Sequence, residues 1–163
     1  MLGFLVLAAA DSAIAQSADS VRTALVTRLY KQFSWEATGG DDGPEGRTFI
    51  DQPRRVLLRY LEPGLAELLL RERACVRESE AVCRLDFAPL WGSQDPDAAE
   101  ISFSSMTGTP NAVVASIGSS SGAVTIVTYR MVRTRMGWRI SDIQYARGAS
   151  LRTILSDGQA SRS

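Results

Sequence analysis

The chemistry open to this chain is narrowed first by a missing residue type. The sequence holds no histidine, so no imidazole can serve as general base, as partner to a nucleophile or as metal ligand. Ser-His-Asp and Cys-His catalysis are excluded, and so are the common zinc sites. Sulfur chemistry rests on two cysteines, Cys75 and Cys83. A redox pair would more often be spaced C-x-x-C, and two lone thiolates are too few ligands for a metal, so the spacing favours a structural disulfide. Eight residues of continuous helix rise about 12 Å, whereas bridged Cα atoms lie about 5.5–6 Å apart. The helix that carries Cys75 is therefore expected to end near that residue, with the chain doubling back. Residues 39–46 hold three acids among four glycines and a proline. They lack the alternating oxygen ligands of a calcium loop and read as a solvated connection. No metal and no cofactor is expected.

Pairing of the cysteines requires an oxidising compartment, and the start of the chain points to one. Leu2, Phe4, Leu5, Val6 and Leu7 lead through three alanines to Ala13-Ile14-Ala15. An apolar run of this length is too short to span a bilayer. It matches the core of a secretory signal with a small-x-small cleavage pattern. Residues 1–15 are thus expected to be a signal peptide, cut after Ala15, and residues 16–163 a single periplasmic or secreted domain with its core over about 19–155. The competing reading is an N-terminal helix of the folded domain. The 18 basic and 18 acidic residues balance, which leaves no global field to draw the chain to nucleic acid or anionic lipid.

The elements that must position any site follow from periodicity. Val21, Leu25, Leu29 and Phe33 recur every four residues, with Val26 and Tyr30 beside them. They predict a helix capped by Asp19 or Ser20 and ended by Gly39-Gly40. Asp51-Gln52-Pro53 starts a short second helix, with Val56, Leu57, Tyr60 and Leu61 inward. Pro63 begins a third, with Leu65, Leu68 and Leu69 inward and Glu67, Arg71, Glu72 and Arg73 outward. Residues 85–97 mix apolar rings with acids and prolines and are expected to lie across the domain. Beyond them the period changes to two. Residues 100–106, 112–117, 123–133 and 138–145 are rich in Val, Ile, Thr and aromatics and are separated by turn residues, which predicts an antiparallel meander. On the third strand Val124, Ile126 and Val132 oppose Val127, Tyr129 and Met131. Both faces are expected to be partly buried, with Val127, Tyr129 and Met131 as an interface to a partner or a second copy, unless the crossing loop or the tail after Gly148 folds over the second face. A short helix or extended tail closes the chain from Gly148.

Several segments carry a resemblance. They are Leu58-Arg59-Tyr60-Leu61-Glu62-Pro63-Gly64-Leu65, then Leu85-Asp86-Phe87-Ala88-Pro89-Leu90-Trp91 with Gln94-Asp95-Pro96, then Gly137-Trp138-Arg139-Ile140-Ser141-Asp142-Ile143 and Ser150-Leu151-Arg152. In this order the chain resembles the nuclear transport factor 2-like superfamily, the cystatin-like cone fold of ketosteroid isomerase. Within it the chain looks most like an exported bacterial family of unknown function (domain family 3828). The resemblance implies an α+β class, with three N-terminal helices packed on a curved four-stranded antiparallel sheet, and a pocket between sheet and helices. It brings no activity.

A pocket of that kind would hold a small apolar ligand, with Tyr30, Tyr60, Trp91 and Asp142 as candidate binding residues and Trp91 on a lid. An isomerase-like or dehydratase-like enzyme would need a carboxylate base in an apolar site and a phenol donor. Asp142 or Asp86 would be the base, and Tyr30, Tyr60 or Tyr129 the donor. The plainer reading of Asp142 is a strand-end carboxylate bonding nearby backbone or Arg139, and that of the tyrosines is core packing. A periplasmic immunity protein is the third class, though its usual insertion loop carries aromatics that 39–46 lacks. A non-catalytic small-ligand or protein-binding module is the reading favoured.

Overall fold

The computed structural model describes residues 7–38, 47–79, 82–106, 108–146 and 148–156, with the backbone alone for 7–17. Residues 1–6, the acidic stretch 39–46 and the tail 157–163 lie outside the described residues. The chain is α+β, with helices α1 (Leu7–Phe33), α2 (Arg54–Tyr60) and α3 (Pro63–Ser79), strands β1 (Glu100–Ser105), β2 (Ala112–Gly118), β3 (Val124–Thr134) and β4 (Gly137–Tyr145), and a closing helix α4 (Leu151–Ser156). The strands form one antiparallel sheet in the order β1-β2-β3-β4. Among the described residues no helix is long and apolar enough to cross a membrane.

α1 begins well upstream of the expected cap. Asp19 does not cap it but forms an ion pair with Arg22 one turn on. The predicted stripe holds from Leu25: Leu25, Val26, Leu29, Tyr30 and Phe33 are buried, whereas Val21 is exposed. Glu62 starts α3, accepting from the backbone N–H of Gly64 (2.9 Å) and of Leu65 (2.8 Å). Leu57, Leu61, Leu65 and Leu69 are fully buried, and each such leucine stabilises the fold by about 1.5–3 kcal/mol.

The Cys75–Cys83 disulfide is present, with Cα atoms 6.2 Å apart. α3 nevertheless runs on to Ser79, so the helix does not stop at Cys75, and the chain turns back between Ser79 and Cys83. Glu72 is a second correction, since it is buried rather than outward. Its Oε1 accepts from the backbone N–H of Arg84 (2.6 Å) and of Leu85 (2.9 Å), and its Oε2 from the Arg84 guanidinium (3.3 Å). Disulfide and carboxylate together hold the returning strand of chain.

Val127, Tyr129 and Met131 are all buried, on the face that meets the helices, together with Val113, Ala115, Ile117, Ile140 and Ile143. They are core, so the expected interface on this set is corrected. The opposite face carries the rows Ser104, Val114, Thr128, Gln144 and Ser102, Ser116, Ile126. Its exposed Val124 and Val132 stand among polar neighbours, the ordinary alternation of an antiparallel sheet wet on one side.

Ile140 and Ile143 are both buried although three residues apart. Strict alternation forbids that. The register passes from Arg130 opposite Asp142 to Met131 opposite Ile140, so Ser141 is the extra residue of a bulge that returns both isoleucines to the core.

Candidate functional site

Where the resemblance implies a pocket between sheet and helices, the crossing loop fills it. Leu90 and Trp91 are buried. The Tyr30 hydroxyl donates to the Leu90 carbonyl (2.5 Å), and the Tyr129 hydroxyl donates to Tyr30 Oη (2.9 Å) and to the same carbonyl (3.2 Å). Tyr145 donates to the Pro89 carbonyl (3.1 Å). Burial holds all three phenols above their usual range, so they serve as neutral donors. The Tyr30 ring meets those of Trp91, Phe103 and Tyr129 with centroids 5.1, 5.2 and 5.9 Å away. The next residue, Gly92, has φ +63°, and a Cβ there would approach Tyr145 Cδ1 to 3.2 Å. Only glycine takes that backbone without cost.

The four expected ligand residues do not converge. Trp91 is core rather than lid, and its Nε1–H donates to Glu36 Oε2 (2.8 Å). Tyr60 donates to Gln32 Oε1 (2.5 Å), tying α2 to α1. Asp142 Oδ1 accepts from the backbone N–H of Ile143 (2.8 Å) and of Arg152 (3.0 Å), which ties β4 to the first turn of α4. That is the plainer role foreseen for it. Arg152 in turn pairs with Glu62 and donates to the Ser141 carbonyl (2.8 Å). Asp86 is exposed, with Gln94 Nε2 at 3.2 Å.

A different concavity stands open. Two single 3-10 turns, Ser34–Ala37 and Phe49–Asp51, face the crossing loop across a groove of about 540 Å³. Trp35, Phe49, Ile50, Leu85, Phe87 and Pro89 give it apolar walls, and Glu36, Thr48, Asp86 and Gln94 supply the polar points. Glu36 is the group held most tightly there. It accepts from the Phe49 backbone N–H and from Trp91. Burial raises its carboxyl above the usual glutamate range and nearby Asp51 adds to the rise, against the lowering effect of those two hydrogen bonds. A larger trough of about 750 Å³ lies between α1 and β1. Its walls are mostly Ser, Thr, Arg28 and Lys31, so an apolar ligand would bury little there. None of the four expected ligand residues lines the groove. Trp35 and Glu36 were legible only as a tryptophan and an acid just past the helical stripe.

No protein-family profile matches the chain, and no curated protein matches it in sequence. Among solved structures, the chain is similar to a protein of unknown function from Bacteroides thetaiotaomicron. That likeness has a TM-score of 0.50 at 16% identity and covers 84% of this chain and 95% of that one. It is also similar to a phospholipid-binding protein from Ralstonia solanacearum solved with a phospholipid, with a TM-score of 0.41, 13% identity and coverage of 90% and 86%. The first likeness extends to the fold alone. Fold and site together define, among the described residues, an α+β protein with a filled interior and an apolar groove beside it.

Proposed function

We propose that this chain is an exported, non-catalytic binding module of the cell envelope, built on the nuclear transport factor 2-like plan, and that its groove takes a small, largely apolar ligand. The observation that carries the reading is the groove, whose volume and apolar walls are those of a small-molecule site. Export rests on Ala13-Ile14-Ala15 and agrees with the disulfide. Against catalysis stand the duties of the candidate groups. Asp142 is occupied at a helix start, Asp86 is exposed, Tyr30 and Tyr129 hold the Leu90 carbonyl, and Tyr60 holds the Gln32 side chain.

Titration with the neutral probe N-phenyl-1-naphthylamine tests the groove, with the rise in the probe's own emission as the readout. Saturable binding is expected, and Trp35→Ala together with Ile50→Asn should abolish it while the far-ultraviolet dichroism is kept. Equal binding by wild type and the double variant would refute the site. Intact mass from a periplasmic extract tests export. A chain beginning at Gln16 is expected, and Met1 retained in that fraction would refute it.

A further inference from the structure

The groove is not electrically neutral. Its lining contains two carboxyl groups, Glu36 and Asp86, and no lysine or arginine. Arg55 and Arg59 share a separate cleft with Trp35 and do not line this groove, and three further arginines are engaged elsewhere. Arg84 turns to Glu72, Arg54 pairs with Glu67, and Arg73 donates to the backbone carbonyls of Asp51 and Gln52 (2.9 Å each). Arg47 is exposed and is not among the lining residues. The hydrogen bonds made to Glu36 come from neutral donors, a backbone N–H and an indole N–H. Among the described residues, then, no cation offsets the two carboxyls from within the groove. The aromatic walls add to the same preference, because the faces of Trp35 and Phe87 favour a cation over an anion.

We infer that the ligand of this groove is an amphiphilic cation, an apolar body carrying an amine or quaternary ammonium head, and that the site discriminates against carboxylate-headed lipids of the same length. The inference rests on the groove reading above and refines it. The apolar body lies along Phe49, Ile50, Leu85 and Phe87. The head sits toward Asp86 at the exposed side, where it keeps part of its hydration and gains the carboxylate. An anionic head placed there meets like charge with no counter-ion among the described lining residues.

Three probes of equal chain length separate the ideas, each used below its micellar concentration and followed by calorimetry: decyltrimethylammonium, decanol and decanoate. The cation should bind at least about tenfold tighter than decanoate, a difference that one good cation–aromatic and charge contact accounts for, with decanol between them. Asp86→Asn, an exposed position that should not disturb folding, should narrow the gap between cation and anion at least about threefold. Binding of none of the three would refute the groove itself. Binding of decanol or decanoate as tightly as the cation would leave the groove standing and overturn the charge preference, and so would a gap unmoved by Asp86→Asn.

Discussion

Reduction of the disulfide should weaken the protein without unfolding it. The bond closes a separation of 8 residues, and the chain-entropy relation gives about 2.5 kcal/mol for so short a loop, acting through the unfolded chain. For a domain near this size that corresponds to a fall in Tm of about 5–10 °C. The folded return of the chain has a second tie, because Glu72 receives the Arg84 and Leu85 N–H groups at 2.6 and 2.9 Å. The Cys75→Ser, Cys83→Ser variant is therefore expected to keep its near-ultraviolet dichroism at 25 °C while its calorimetric Tm drops by that amount. Glu72→Gln keeps a carbonyl oxygen for both N–H groups but loses the Oε2 pairing with Arg84, and should cost less than Glu72→Ala. Glu72→Ala leaves the buried Leu85 N–H unmet, at about 1–3 kcal/mol, and the part-buried Arg84 N–H at less. In the cysteine-free background Glu72→Ala should bring the chain close to unfolding. A Tm unchanged within about 1 °C on removing the bond would refute the entropic reasoning. Loss of the near-ultraviolet signal in the cysteine-free variant would refute the second tie.

Three further outcomes follow from the buried polar groups. Glu36 keeps its proton to higher pH in the folded chain than in the unfolded one, where its ordinary value is 4.5. Over that window the folded state binds more protons, and stability falls as pH rises. Glu36→Gln should remove that slope in urea melts taken from pH 4 to 7, at about 1–3 kcal/mol for one donor left unmet; a slope unchanged by the substitution would contradict the burial of Glu36. Tyr129→Phe should cost about 1 kcal/mol in chemical denaturation, while Tyr129→Glu should abolish the cooperative transition because a charge cannot be housed at a fully buried position; a folded Tyr129→Glu protein would return that residue to the surface. Asp142→Ala should loosen α4 at about 1 kcal/mol, as loss of a helix cap does, and open Arg152 to trypsin well before the core is cut; equal cleavage rates would remove Asp142 from that role.

The sheet was readable because its signals are local. Period-two runs broken by Gly, Asn and Pro placed all four strands within a residue or so of where they lie. The features that escaped depend on distant partners. Glu72 sits among charged neighbours on α3 and reads as solvent-facing until its partners arrive from 12 and 13 residues further on. The inward turn of both Ile140 and Ile143 needs the bulge at Ser141, which a strand pattern cannot show. Apolar residues on both sides of β3 suggested two covered faces. Val124 and Val132 proved to be exposed on a face shared with Ser102, Ser104, Ser116 and Gln144, and single exposed valines need no cover. The crossing loop was rightly expected to lie over the domain, but its anchoring on Tyr30 and Tyr129 required contacts across 60 and 39 residues. The groove followed from that anchoring and was not foreseen.

The three phenols that grip Pro89 and Leu90 also set the order in which this molecule can be made. Tyr30 reaches its acceptor 60 residues later, and its neighbour Tyr129 stands 99 residues along. None of the local helices can finish the interior alone, because the loop that fills it is clamped by residues of β3 and β4. Closure must therefore wait until most of the polypeptide has emerged, and contacts of such long range slow the final step. A chain handed to a translocation channel before that point would still be threadable. Late commitment would serve the export proposed above.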